Sequence, residues 1–196
     1  MCCCMSKVEL PVALRFDWNV PMCILSCSNE KQPKPNLITL GAWTITCLRP
    51  MMMGVAIAHS RYSYEILKNG DSYVLNLPYP HQADIVDYCG VASGRDHDKF
   101  DECKLTPLKS LKVYSPGVEE FALSFECSIH KEMDLGSHSF FIGKLEAIQC
   151  DESILDERGF VSSKLFNPVA AYRNKYWSLG ETLLNFGEGK TRLGIK

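Results

Sequence analysis

The sequence has no apolar run approaching the roughly 18 residues of a membrane-spanning helix. It has no charge excess either: 21 Lys and Arg stand against 23 Asp and Glu, a formal net charge of -2. That balance removes the electrostatic footprint of a general nucleic-acid binder. It leaves room for a local basic pocket around one small anion. Also missing are G-x-G-x-x-G after a strand, G-x-x-x-x-G-K-[ST], H-E-x-x-H and G-x-S-x-G, so Rossmann cofactor binding and Walker-type nucleotide hydrolysis are not expected. No C-x-x-C occurs, and the five histidines show no ligand spacing, so no metal site is expected.

What is present is an ordinary globular composition: 196 residues, 46% hydrophobic and 22% charged. That is one domain, or one domain plus an extension. At this length a chain buries roughly 70% of the surface its unfolded form exposes, so no disulfide or metal staple is required. The reading divides the chain into an N-terminal extension over 1–19 with a first strand or a disordered start, a domain over 20–187 and a tail over 188–196. The ten cysteines are about 5% of the chain, below the roughly 8–10% of disulfide scaffolds. Cys23, Cys47, Cys127 and Cys150 lie in apolar, strand-like segments and are expected as buried thiols. Cys23 and Cys27, four apart, share one face of a strand, and Cys2-Cys3-Cys4 is expected in a frayed terminus. Unpaired thiols suit a reducing compartment, and residues 1–7 lack the features of a secretory signal. The expected address is the cytoplasm.

Short β-type runs dominate: Val20–Cys27, Leu37–Leu40, Trp43–Leu48, Met51–Ala58, Tyr73–Leu77, Phe121–Ile129 and Ser139–Ile148. A polar turn is expected over Ser28–Pro35 and a hairpin bend over Asp134–Ser137. Helical signals are shorter: Ser60 or Arg61 to Lys68 with Ser60 as candidate N-cap and Asn69-Gly70 as the stop, His81–Tyr88, Asp96–Cys103, and the apolar pattern from Trp177 to Phe186. There is no βαβ rhythm. The fold class is mainly β, an antiparallel barrel with short peripheral helices.

Three stretches can carry chemistry. In Asn36-Leu37-Ile38-Thr39-Leu40-Gly41-Ala42-Trp43-Thr44, two small residues before Trp43 let a flat ligand approach the backbone; a hairpin with a buried Trp gives the same pattern. In His59-Ser60-Arg61-Tyr62-Ser63-Tyr64-Glu65, a helix start, two hydroxyls and a guanidinium converge as an anion site; ordinary capping by Ser60 with a solvated Arg61 is the alternative. In Asp87 to Phe100, two glycines, Ser93, Arg95 and Lys99 can close over a phosphate, or form a solvated loop. Cys89 has no adjacent resolving thiol or activating His.

Taken in order, these stretches resemble the flavin reductase-like family of FMN-binding split barrels, most closely its flavoredoxin-type branch. The residues that carry the resemblance are Asn36-x-x-Thr39-x-x-Ala42-Trp43-Thr44, Pro50, Arg61-Tyr62-Ser63, Gly70-x-x-x-x-Leu75-Asn76-Leu77 and Asp87-Tyr88-Cys89-Gly90-x-x-Ser93-Gly94-Arg95-Asp96-x-Asp98-Lys99-Phe100. Leu135-Gly136-Ser137-His138-x-x-Phe141-Ile142-Gly143 and Tyr176-Trp177-x-Leu179-Gly180 complete the set. Met51 departs from it, standing where many relatives have a second proline. The resemblance implies a six-stranded split barrel, a homodimer, and non-covalent FMN near the dimer interface. It implies that Asn36, Thr39, Ala42, Trp43 and Thr44 line the flavin ring and ribityl chain. Arg61, Ser63 and Lys99 would then hold the phosphate, and Cys89, Gly90, Ser93 and Gly94 would form the adjoining loop. His138 is placed by it near the flavin and nicotinamide, in a position that also suits a plain hairpin. The implied activity is transfer of hydride from NAD(P)H, a transient co-substrate, to flavin, with electrons passing on to free flavin, a metal chelate or a partner protein. A flavoredoxin-like electron carrier is the alternative.

Overall fold

The computed structural model describes residues 20–193. Cys2, Cys3, Cys4 and any strand within 1–19 lie outside the described residues. In chain order the elements are β1 (Val20–Pro21), β2 (Cys23–Asn29), β3 (Gln32–Leu40), β4 (Trp43–Leu48), β5 (Met51–Ala58), α1 (Tyr62–Lys68), β6 (Ser72–Leu77), α2 (Ala83–Val91) and α3 (Lys99–Glu102). Then follow β7 (Pro107–Leu108), β8 (Gly117–Val118), β9 (Leu123–Asp134), β10 (His138–Cys150), β11 (Val169–Tyr172), β12 (Lys175–Ser178) and α4 (Gly189–Arg192). Among the described residues, no helix is long and apolar enough to cross a membrane.

Seven strands form one sheet in the order β3-β2-β6-β9-β10-β5-β4, every neighbouring pair antiparallel. Alternating direction along seven strands gives the two outermost, β3 and β4, the same direction. They are also consecutive in the chain, separated by Gly41 and Ala42 alone. The two ends of the sheet are therefore one bent strand, and the Ala56 N–H donates to the Ala42 carbonyl at 2.9 Å at the bend. Counted as one, β3 and β4 make the six strands of the expected barrel, closed on itself as barrels must be to remove their edges.

The core explains the apolar runs. Cys23, Leu25 and Cys27 of β2 point into the barrel with Ile38, Val55, Tyr73 and Phe141, and α1 plugs one end with Ile66 and Leu67. Ile24 points outward and packs with Leu37 under Val86 and Cys89 of α2 and Phe100 of α3. Both faces of β2 are covered, so the strand is buried throughout and its sequence does not alternate. Buried polar groups are paired. Asn76 donates through Nδ2 to the Ile24 carbonyl at 2.9 Å and accepts from Ser124 Oγ at 2.7 Å. The fully buried Glu126 carboxylate accepts from the backbone N–H of Leu111 and Lys112 and from Gln149 Nε2.

Three expectations are corrected. The turn over Ser28–Pro35 shrinks to Glu30 and Lys31, because Asn29 Oδ1 accepts from the N–H groups of Lys31 and Gln32 at 2.9 and 2.8 Å and so closes the hairpin early. Pro33 and Pro35 lie in the first half of β3, at the end of the sheet order, where a missing N–H costs no ladder bond. Cys23 and Cys127 are buried as expected, but Cys47 is half-buried and Cys150 exposed, since both sit where their strands run past the core. The pattern from Trp177 to Phe186 is no helix: it is the end of β12 followed by irregular chain with Leu183 and Phe186 exposed.

Candidate functional site

Two adjoining hollows open where α1, α2 and the loop before α3 pack against β3 and β5. The larger, about 320 Å³, is lined by Ile38, Thr39, Leu40, Gly41, Ala42, Ala56, Ile57 and Ala58, with Val20, Met22 and Ala171 closing one side. It is predominantly apolar, with small residues where the bent strand meets β5. The smaller, about 130 Å³, is polar, and Asn36, Ser60, Ser63, Ser93 and Lys99 line it. Ile38, Arg61 and Gly90 line both and mark their junction. The joint shape is a wide apolar slot leading into a small polar end.

The polar end is cationic. Lys99, the first residue of α3, is buried, and its Nζ donates to the carbonyls of Leu37 at 2.7 Å and Cys89 at 2.9 Å. An ammonium has three N–H bonds, so one remains for the hollow. Burial pushes the Lys99 pKa below the usual lysine range, and the charge of Arg61 adds to that push. Among the described residues no carboxylate pairs with either Lys99 or Arg61. Two cations kept close in a partly desolvated hollow without a counter-ion repel each other, and an anion between them reverses the sign of that interaction. The α1 helix contributes little: Arg61 rather than Ser60 occupies its N-cap position, without a side-chain cap, and the helix has seven residues. The anion site of this chain is made by side-chain charge.

The structure brings together most of the residues singled out in the sequence. Asn36, Arg61, Ser63, Cys89, Gly90, Ser93, Gly94 and Lys99 line the polar hollow; Thr39, Ala42 and His138 line the apolar one. Asn36 donates to Ser63 Oγ at 2.8 Å, tying β3 to α1. The Thr39 hydroxyl is engaged by the Val86 carbonyl at 2.6 Å, which fixes α2 over the strand. His138 opens β10 opposite Ala58, exposed at the rim, with Nδ1 2.7 Å from Ser137 Oγ. Two residues stand apart: Trp43 is half-buried and donates its indole N–H to the Pro21 carbonyl at 3.0 Å, and Thr44 is exposed on β4. Burial pushes the Cys89 thiol up to about 12, which disfavours the thiolate that nucleophilic chemistry uses. Arg95 does not face the hollow with a free charge: it pairs with Glu65 and donates to the Ser60 carbonyl. Of the residues that line the apolar slot, Thr39, Gly41, Ala42, Arg61, Gly90 and His138 were singled out in the sequence and the others were missed. The small residues Ala56 and Ala58, two apart on β5, are the signal that points to it.

The model of a known family, the flavin reductase like domain, matches residues 19–180. The chain belongs to that family. Solved flavin reductase-like and related structures share its fold. The flavoredoxin of Desulfovibrio vulgaris (Miyazaki F) is 24% identical with a TM-score of 0.85, over 94% of this chain and 99% of the other. A flavoredoxin from Methanosarcina acetivorans is 24% identical with a TM-score of 0.87, over 96% and 100%. An FMN-binding protein from Thermus thermophilus is 20% identical with a TM-score of 0.75, over 92% and 97%. Membership of the flavin reductase like family supports flavin binding.

Proposed function

We propose that this flavin reductase like chain binds FMN non-covalently and acts as a flavin oxidoreductase, drawing hydride from NAD(P)H and passing electrons to free flavin or a partner. The observation that carries the reading is the unpaired Lys99–Arg61 cation pair at the end of an apolar slot. FMN has the matching form, an aromatic tricycle joined by a polyol to a phosphate dianion. Bound FMN supplies the hydride and electron chemistry itself. The chain supplies the rest. Lys99 and Arg61 hold the phosphate, with Ser63 and Ser93 beside it, and Gly90 and Ile38 flank the polyol. Leu40, Ala42, Ala56 and Ala58 flank the ring and exclude water from it. No acid or base is needed for hydride transfer; His138, at the rim, orients the incoming nicotinamide.

The second reading, an electron carrier without efficient NAD(P)H oxidation, draws support from the likeness to two flavoredoxins. The two separate in one experiment. Anaerobic NADH or NADPH added to the FMN-loaded protein is expected to bleach its visible absorbance within seconds. Absorbance unmoved by either nucleotide, but lost at once on adding dithionite, would establish the carrier and end the reductase reading. We further assign a homodimer, supported by the exposed apolar residues Ile45 and Leu48 on β4 and Trp177, Leu179 and Leu183 near the C-terminus, a density of apolar surface that lone chains seldom leave in water. Seven unpaired thiols among the described residues support a reducing, cytoplasmic address.

Arg61→Ala is expected to weaken FMN binding by about 1.5–3 kcal/mol, the scale of a hydrogen bond to a charged group, and to leave riboflavin nearly unaffected. Titration of both flavins by fluorescence quenching checks it; equal losses would make Arg61 a structural residue.

A further inference from the structure

Cys89, within α2, has no thiol adjacent to it in the sequence, but the fold supplies one. Cys103, the C-cap residue of α3, packs against the same apolar cluster that buries Cys89, and the two thiol groups hydrogen-bond to one another. Both are unpaired cysteines, Cys89 buried and Cys103 half-buried. Lys99 links their backbones: its Nζ donates to the Cys89 carbonyl at 2.9 Å, and its own carbonyl accepts from the Cys103 N–H at 3.2 Å. Thiols in contact on two neighbouring helices meet the first requirement of a disulfide, sulfurs that already face each other.

We infer that Cys89 and Cys103 form a reversible dithiol–disulfide couple, oxidised by hydrogen peroxide, that staples the loop over the polar hollow. The ring closed by the disulfide spans residues 89–103 and holds Gly90, Ser93, Gly94 and Lys99, all of which line that hollow. In the reduced chain the Ala92 N–H donates to Tyr88, and the Asp96 and His97 N–H groups donate to Ser93. These bonds stay within the loop and its own helix. Side chains fasten the loop to its surroundings: Arg95 on Glu65 and the Ser60 carbonyl, and Lys34 on Asp98. A covalent link between α2 and α3 removes the open loop conformations that such contacts leave accessible.

The half-buried Cys103 is the entry point. Its sulfur attacks one oxygen of the peroxide, the O–O bond breaks, and Cys103 becomes a sulfenic acid as one water leaves. The Cys89 sulfur then attacks the Cys103 sulfur; the S–S bond forms, the S–O bond breaks and a second water leaves. The two thiols give up two electrons and two protons, and hydrogen peroxide takes up both pairs. An external dithiol reverses the step by thiol–disulfide exchange. Burial pushes both thiols above their usual range, and the charge of Lys99 pulls each of them back. The couple therefore answers sustained oxidant and not a brief pulse, in keeping with the redox-sensing role of disulfides in reducing compartments.

The test is peptide mapping of the purified full chain after incubation with excess hydrogen peroxide and blocking of the remaining thiols. Cleavage after Lys68, Arg95, Lys99 and Lys104 leaves each cysteine alone on its own tryptic peptide, Cys89 on 69–95 and Cys103 on 100–104. The expected product is a disulfide between these two peptides, lost on dithiothreitol treatment and absent from Cys103→Ala. Recovery of both peptides as blocked thiols, as separately oxidised acids or paired to other cysteines would overturn the couple. The effect on the loop, which rests on the cofactor reading above, is read as the rate of FMN release on dilution, followed by recovery of flavin fluorescence. Release is expected at least about threefold slower from the oxidised chain, restored by dithiothreitol, and insensitive to peroxide in Cys103→Ala. A Cys89–Cys103 disulfide with unchanged or faster release would overturn the staple. Failure of FMN to bind the reduced chain would overturn the cofactor reading, while the peptide map decides the couple by itself.

Discussion

Lys99→Met is expected to raise the dissociation constant for FMN by about a hundredfold or more, since a phosphate dianion loses a buried ammonium whose hydrogen bonds to charged groups are worth about 1.5–3 kcal/mol each. Methionine matches the length of the lysine stem and carries no charge, so the change removes donors with little change in volume. It also strips the Leu37 and Cys89 carbonyls of their partner, at 2.7 and 2.9 Å. Two buried acceptors left without a donor cost about 2–4 kcal/mol of stability, a fall of roughly 4–16 °C in the thermal midpoint for a chain of this size. The two consequences are separable. Thermal unfolding without ligand reads the peg; comparison of FMN with riboflavin reads the anion site. If riboflavin loses as much affinity as FMN, Lys99 holds α3 to β3 and does nothing for phosphate.

The other large effect is expected far from the site. Glu126→Gln should lower stability by about 2–4 kcal/mol without altering FMN affinity. The native carboxylate is fully buried and accepts three N–H donors, from Leu111 at 2.9 Å, Lys112 at 2.8 Å and Gln149 at 3.0 Å. An amide of the same shape turns one acceptor into a donor, so at least one N–H faces another N–H. That leaves a buried group unsatisfied and weakens the remaining charge-assisted bonds. Denaturant unfolding of the two proteins checks it. A change below about 0.5 kcal/mol, the range of ordinary surface substitutions, would mean that the amide satisfies the same donors at no cost.

Much of the barrel was legible because its central strands are buried along most of their length. The run from Cys23 to Cys27 has no polar residue except Ser26, and Met51–Ala58 has none at all, so unbroken apolar character marked them. The hairpin at Leu135-Gly136 was legible for a different reason: Gly136 has φ of +97°, the left-handed region that favours glycine. The first half of β3 was hidden behind Pro33 and Pro35, which mark turns everywhere except at the end of a sheet. The segment from Trp177 to Phe186 misled in the opposite sense, since its helical spacing of apolar residues answers to no buried face. Of the site, the polar end was readable only as an ordered set of residues, because Asn36, Arg61 and Lys99 are too far apart in the chain for any spacing rule. The apolar slot was nearly invisible, since alanines and isoleucines in a barrel announce packing and not a ligand. Arg95 was weighed as a phosphate residue; a carboxylate 30 positions away, Glu65, decides otherwise.

The bent strand that carries Gly41 and Ala42 is both the seam of the barrel and the floor of the slot. A flavin lying there would act as a keystone: it presses on the one place where the circumference is completed by a turn of chain instead of a full ladder of paired strands. Occupancy and closure then become a single equilibrium, by the rule that a ligand adds stability in proportion to its preference for the closed form. The same strand continues as β4 to the exposed Ile45 and Leu48, so the chain that floors the slot is also the chain that surfaces on the outside of the barrel.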